Sequence, residues 1–349
     1  MKKFTIGITT HNESATISEM LDRLAGIPPT DVDVLLFDDG STDDTAGLIS
    51  THQISKQENF RAHLSDVNHG TPSVGRAFIG REALSEYVVL FDGDDIIDVP
   101  EFMRFIQLAP SGYDILLSSY QYRDRRIGLR GNGGLLQISS ASISRVIAGI
   151  GGKAYRTELL RDYGSDTVRG RSDDVRFNLR ILETGERKLW HVPDVCFYHI
   201  RESRKSAKAK SINWQEVKDR MARYTALSNR YALDASYMVS LRNQLTHVVR
   251  DDATLESGQR ADLFNRIAVL FSEYADPADY IPAPLIRATE KVGLDPKDVF
   301  PAQMVPKPQP VRSALSRLAR PVRRDPIHLL PLPLRWRMRR ALATLRKRP

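Results

Sequence analysis

Three polar clusters in this chain each follow directly on a short apolar run: Thr10-His11-Asn12-Glu13, Asp38-Asp39-Gly40-Ser41 and Asp92-Gly93-Asp94-Asp95. Asp92-x-Asp94 offers paired hard oxygen donors. Mg²⁺ and Mn²⁺ are held by one or two such carboxylates together with substrate phosphates. Adjacent carboxylates repel one another unless a cation neutralises them. Gly93 between them lets a ligand come close to the backbone. The bland alternative for the stretch is a solvated acidic turn. For a single acid such as Asp43 or Asp98 it is a helix N-cap. Three clusters at three strand ends are harder to dismiss.

The elements that must position them alternate. Residues 4–10 read as a strand. Residues 14–25 read as a helix, with Ile17, Met20, Leu21 and Leu24 at helical spacing and Gly26 as a stop. Residues 32–37 form the next strand, and a short helix is expected from Ser41 or Thr42. Residues 60–64 are a weaker strand, 72–84 a helix, 87–91 a continuous apolar strand and 113–118 another. Strand, helix, strand in repetition predicts an α/β fold with a doubly wound, mostly parallel sheet. Ligands bind in the crevice past the carboxyl ends of such strands, where the three clusters converge. Residues 135–200 read as mixed, with a helix over 173–182 and a strand over 188–199. Residues 213–299 read as helical, and Pro306, Pro308 and Pro310 mark a linker. The expected domains are 1–205 around the site, a helical region of 206–305, and a linker with a basic tail of 306–349.

The clusters together resemble the inverting glycosyltransferases of family two, which have the GT-A fold and build bacterial cell-surface polysaccharides and teichoic acids. Residues 4–13 are similar to the family's first strand with its Thr-x-Asn ending. Phe37 to Asp43 is similar to its Asp-Asp-Gly-Ser-Thr-Asp segment, and Asn68-x-Gly70 followed by Arg76 to the segment that approaches the diphosphate. Phe91-Asp92-Gly93-Asp94-Asp95 is similar to its Asp-x-Asp-Asp motif, and Ser172-Asp173-Asp174 to its Glu-Asp before a helix. The likeness covers about residues 4–202. It implies that Asp39 accepts the base N–H of a uridine-type nucleotide and that Thr10 and Asn12 line the base pocket. It also implies that Asn68 and Arg76 fix the nucleotide, Asp92 and Gly93 meet the ribose or sugar, Asp94 holds Mn²⁺ or Mg²⁺, and Asp174 is the general base. Three positions depart from the pattern: Thr9 replaces a proline, His11 an aromatic and Asp173 a glutamate.

The implied reaction is one in-line displacement at the anomeric carbon. A carboxylate must take the proton of the attacking hydroxyl, and a cation must stabilise the leaving diphosphate. These duties lie on opposite faces of the sugar, which suits acids as far apart in sequence as Asp94 and Asp174. Without the other clusters, Asp174 reads as a helix N-terminal acid favoured by the macrodipole. His199 is a third metal ligand, a diphosphate contact or a structural side chain. Arg201, with Arg204 and Lys205, forms a basic loop that either closes on the diphosphate or stays solvated. Asp95 and Asp173 are assigned to the acceptor side. The rival functions are a sugar nucleotidyltransferase and a non-catalytic sugar-nucleotide-binding module. The first normally has a Gly-rich basic loop after its first strand, which 9–13 lacks; the second fits better with Asp94 or Asp174 lost, and both are present.

Composition places the remaining partners. Hydrophobic residues make up 41% and charged residues 27%, ordinary for a globular chain. A lone cysteine, Cys196, excludes a disulfide framework and points to a reducing, cytoplasmic setting. The first strand is too short and too broken by threonines to be a signal peptide, and no apolar window is long enough to span a bilayer. Residues 307–349 hold thirteen Lys/Arg against Asp325, so they carry +12 of a net +8 and the remainder carries −4. The tail predicts peripheral binding to the anionic inner face of the plasma membrane or to an anionic polymer, with an oligomerisation helix as the other reading. Nucleic acid is not expected. The acceptor is a polysaccharide, teichoic-acid-like or lipid-linked hydroxyl, and the donor a nucleotide-sugar, UDP-sugar first.

Overall fold

The central strands are buried along nearly their whole length because both of their faces are covered. In a computed structural model, β1 (Phe4–Thr10) is buried at every position, and β4 (Tyr87–Asp92) at all but its last. Such continuous burial is what parallel strands flanked by helices require. The structure describes residues 2–129, 131–139, 142–161, 163, 173–201, 214–233 and, with interruptions, 242–300. Further strands are β2 (Val32–Asp38), β3 (Phe60–Leu64), β5 (Ile96–Ile97), β6 (Ile115–Tyr122), β7 (Arg125–Ile127), β8 (Gly134–Leu136), β9 (Lys153–Arg156) and β10 (Leu189–Ile200). They form one sheet in the order β3-β2-β1-β4-β9-β6-β10-β5, with β7 on β6 and β8 on β10.

β1, β2, β3 and β4 are mutually parallel, and so are β6 and β10. β9 runs antiparallel between β4 and β6. Two reversals restore direction, so β6 and β10 point the same way as β4. All the strands that end in polar clusters therefore open on one edge. The sheet is mixed, and the expected doubly wound parallel order holds for its first four strands. The four residues of β9 are too few to give a period, which is why 135–200 read only as mixed.

Helices α1 (Ile17–Ala25), α2 (Thr45–Thr51), α3 (Pro72–Glu82) and α4 (Val99–Leu108) flank the first half. In α1 the predicted Ile17, Met20, Leu21 and Leu24 are the buried face. α3 begins with Pro72 after Thr71, whose hydroxyl accepts from Ser73 N. The helix expected from Ser41 or Thr42 starts later, at Thr45. Asp38 takes the Ser41 amide at 3.1 Å and Asn12 Oδ1 takes the Thr42 amide at 2.7 Å, so side chains hold a turn where helix was expected. The second half adds α5 (Ile143–Ile147), α6 (Thr157–Leu160) and α7 (Asp173–Glu183). α8 (Trp214–Tyr231), α9 (Ser257–Phe271), α10 (Ala283–Lys291) and α11 (Pro296–Val299) make the later region helical as expected. Among the described residues no helix is long and apolar enough to cross a membrane.

Candidate active site

Strand register brings the three clusters level. Thr10 of β1 lies opposite Asp38 of β2, and Thr9 lies opposite Asp92 of β4. The amides of Asp39 and Gly93 then donate to the Thr10 and Thr9 carbonyls, each at 2.9 Å. Gly40 turns with φ +65°, and a Cβ there would meet the Val67 backbone at 2.6 Å, so only glycine fits. Above this floor opens a cavity of about 460 Å³, lined by Thr9, Thr10, His11, Phe37, Asp39 and Asn68 together with Asp92, Gly93 and Asp94. His11 is held by both ring nitrogens. Its Nδ1 donates to the Asp39 carbonyl at 2.9 Å, and its Nε2 accepts from Asn12 Nδ2 at 3.1 Å and Asn68 Nδ2 at 3.0 Å.

Beneath the cavity, Arg76 joins two acids that are far apart in sequence. Its Nη2 donates to Asp92 at 2.6 Å, and its Nη1 to Asp174 at 2.5 Å and to Tyr163 Oη at 2.8 Å. The guanidinium side chain is 1% exposed. Burial opposes its charge, but Tyr163, Asp174 and Asp92 more than offset that, and it holds its proton more tightly than usual. The Asp92 carboxyl is pushed above its ordinary value, by desolvation first and also by Asp174 and Asp94, with Arg76 pulling against them.

A second cavity of about 620 Å³ shares Asp92 and Asp94 with the first and adds Asp95, Asp174, Tyr120, Tyr122, Tyr198 and Gly149–Gly151. Asp95 accepts from Tyr198 Oη at 2.5 Å and from the Arg201 amide at 3.0 Å. Its carboxyl is pushed up to about 8, by burial first and then by the charges of Asp92 and Asp94. A Cβ on Gly149 would lie 3.3 Å from Asp174 Oδ2, so glycine keeps that oxygen uncovered. Three buried polar side chains hold this loop. Lys153 Nζ donates to the Val146, Ala148 and Gly149 carbonyls, Asn178 Nδ2 to Ala148 O at 3.0 Å, and Arg145 Nη2 to Gly151 O at 2.7 Å. Burial, helped by Arg145 and opposed by Asp174, weakens the hold of Lys153 on its proton.

The structure gathers most of the residues singled out from sequence and sets a few elsewhere. Thr10, Asp39, Asn68, Asp92, Gly93 and Asp94 line the first cavity; Asp95, Asp174 and Arg201 line the second. Asn12 lines neither. It adopts φ 54° and ties the first loop to Thr42 and Asp43. Arg76, expected beside the diphosphate, lines neither cavity and is committed to Asp92 and Asp174. Asp173 accepts from Thr71, from Ser73 at 3.0 Å and from Arg176 at 2.7 Å, which fastens α7 to the start of α3 instead of facing the second cavity. Arg201 donates to the Asp94 carbonyl at 3.0 Å and to Glu19 at 2.5 Å, bracing the acidic loop. His199 sits between Tyr198 and Ile200 on β10 and points to the other face, where Nε2 donates to Cys196 O at 3.3 Å. Arg204 and Lys205 lie outside the described residues. Sequence reasoning missed His69, Tyr163, Lys153 and Tyr198. Each acts through a partner 30 or more residues away or a loop carbonyl, and no local pattern marks that.

Residues 5–161 match the family model described as Glycosyl transferase family 2. Over 175 residues the chain is 29% identical to the poly(ribitol-phosphate) beta-N-acetylglucosaminyltransferase TarS of Staphylococcus aureus, covering 46% of this chain and 29% of that protein. Over 167 residues it is 27% identical to the undecaprenyl-phosphate 4-deoxy-4-formamido-L-arabinose transferase of Klebsiella pneumoniae, covering 47% of each. The matches thus span less than half the length of these relatives. The crystal structure of S. aureus TarS 1-349 in complex with UDP-GlcNAc superposes with a TM-score of 0.50 at 18% identity, covering 85% of this chain and 82% of that one, a likeness of fold.

Proposed function

We propose that this chain, whose residues 5–161 match the family model described as Glycosyl transferase family 2, moves a sugar, with inversion, from a UDP-sugar to a hydroxyl of a cell-surface polysaccharide, teichoic-acid-like or lipid-linked acceptor. The observation that carries this reading is the pair of cavities meeting along Asp92 and Asp94, with Asp39 on one side only and Asp174 on the other only. An in-line displacement needs the leaving group and the attacking hydroxyl on opposite sides of the anomeric carbon. Asp39, Asn68 and His11 hold the nucleotide end. Asp174 Oδ2, over Gly149, takes the proton of the acceptor hydroxyl, and Arg76 offsets one of the two charges of the Asp92–Asp174 pair. Tyr120 and Tyr122 give the acceptor's apolar faces something to stack on.

The donor set fits Mn²⁺ or Mg²⁺. Four carboxylates line the second cavity, with Arg76 joined to two of them, and the carboxylate of Asp94 has no hydrogen bond or ion pair among the described residues. No three His, Cys, Asp or Glu side chains among those residues converge on a cation site. That suits a cation held by one or two carboxylates and completed by substrate phosphates. Asp94 would hold it, with Asp92 beside it; bound there, the cation supplies positive charge to the departing diphosphate. His199 faces away and is left out of the ligand set. Residues 1–205 would be the catalytic domain. The basic residues 307–349, outside the described residues, would bind an anionic membrane or polymer.

The test is a thermal-shift panel of UDP-, GDP- and dTDP-sugars with and without Mn²⁺, run on the full chain and on Asp94→Ala. UDP-sugars should stabilise the wild type most, and Mn²⁺ should strengthen the effect only while Asp94 is present. A Mn²⁺ effect that survives in Asp94→Ala removes the metal assignment.

A further inference from the structure

We propose that His69 sets the base preference of the first cavity by deciding which oxygen of Asp39 faces the ligand. The inference rests on the reading of that cavity as a uridine-type nucleotide site. Asp39 is buried, and its Oδ1 accepts twice from one residue, from His69 N at 3.1 Å and from His69 Nδ1 at 2.6 Å. Two donors occupy the two lone pairs of that oxygen. Among the described residues nothing else bonds the carboxylate, and Asp39 lines the cavity. Oδ2 is therefore the oxygen left for a ligand.

The donors themselves are pinned. The His69 ring packs at a tilt on Phe37, with centroids 6.2 Å apart. The turn that carries it is closed by Asn68 Oδ1, which accepts from the Gly70 amide at 2.6 Å, while Asn68 Nδ2 donates to His11 at 3.0 Å. The Asp39 backbone is fixed as well, by Thr10 O on its amide and His11 Nδ1 on its carbonyl. One carboxylate oxygen is thus presented at a set position, and an ionised carboxylate can only accept. Uracil and thymine bring an N3–H to such an atom. Cytosine brings an unprotonated N3, so lone pair would face lone pair. A site built to receive a donor rejects an analogue without one far more strongly than a merely apolar site does. Freed of the imidazole, the carboxylate can turn about its Cβ–Cγ bond and relieve that repulsion, so discrimination should fall along with affinity.

The experiment is calorimetric titration of the full chain with UDP and with CDP, at one fixed Mn²⁺ concentration, for wild type, His69→Ala, His69→Asn and Asp39→Asn. His69→Ala should lose about tenfold in UDP affinity and about as much in the UDP-to-CDP ratio, the worth of one hydrogen bond to a charged group. His69→Asn places an amide N–H where the ring Nδ1 stood and should restore the ratio, which a purely space-filling role would not do. Wild-type affinity and ratio in His69→Ala, with UDP binding lost in Asp39→Asn, overturns the role of His69 and leaves the base pocket standing. A lost ratio that His69→Asn fails to restore also overturns it. Wild-type UDP binding by Asp39→Asn overturns the uridine reading itself, and the inference falls with it.

Discussion

Arg76→Met takes a buried cation from between two acids and leaves an apolar chain of similar length. In the wild type the guanidinium lies 2.6 Å from Asp92 and 2.5 Å from Asp174, and it is 1% exposed against 40% and 29% for the acids. Breaking a fully buried pair by removing one partner costs about 3–5 kcal/mol. The two acids keep contact with water, which screens part of the loss. About 3 kcal/mol is expected near pH 8, which for a domain of this size lowers Tm by about 6–12 °C. The pH dependence has a definite sign. The Asp92 carboxyl already titrates above its ordinary value, with Arg76 pulling it down. Without Arg76 it rises further, so the folded variant keeps a proton that the unfolded chain has given up above about pH 4. Stability of the variant relative to wild type therefore falls as pH rises through that window and is recovered in part toward about pH 5.5. Thermal unfolding of both proteins at about pH 5.5 and about pH 8 measures this. An equal loss at the two pH values, or none at pH 8, would refute the reasoning.

Asp174→Asn should keep UDP affinity within about threefold while turnover drops about 10²–10⁴-fold, the usual worth of a general base; near-normal turnover in a transfer assay removes Asp174 from that role. Gly80→Ala puts a methyl group 2.5 Å from the carbonyl carbon and oxygen of Leu160, backbone atoms of α6 that cannot swing aside. The urea midpoint should shift down by the equivalent of about 1–3 kcal/mol, and an unchanged midpoint would contradict the close packing of α3 on α6. Deleting residues 307–349 should leave donor hydrolysis intact but abolish sedimentation with phosphatidylglycerol vesicles and with anionic polymer; a truncated chain that still sediments with either places the binding surface elsewhere.

Local physics was legible in the chain. The apolar runs 4–10, 32–37 and 87–91 are strands in the structure, and α7 spans Asp173–Glu183 where 173–182 was expected. The position of the acids at strand ends followed from those runs, because a parallel sheet opens its ligand crevice at the carboxyl edge. Less was legible where a role depends on what lies across the fold. β10 shows why: Tyr198 reaches Asp95 with its hydroxyl while the neighbouring His199 turns to the other face, and no local pattern marks which of the two faces the site.

Sequence by itself determined the strand-end carboxylates and the adjacency of Thr10, Asp38 and Asp92. Those follow from strand period and the short reach of neighbouring strands. Only the tertiary structure decided which charged groups face the cavities and which are tied into the frame. Arg76 turns inward because its guanidinium bridges the carboxylates of Asp92 and Asp174, the second of them 98 residues away in the chain. Asp173 is drawn to Thr71 and Ser73, and Asp174 beside it is left over Gly149 with an oxygen to spare. Two adjacent aspartates at the start of one helix take different partners because side chains a third of a turn apart meet different neighbours, and those neighbours arrive only when the chain folds.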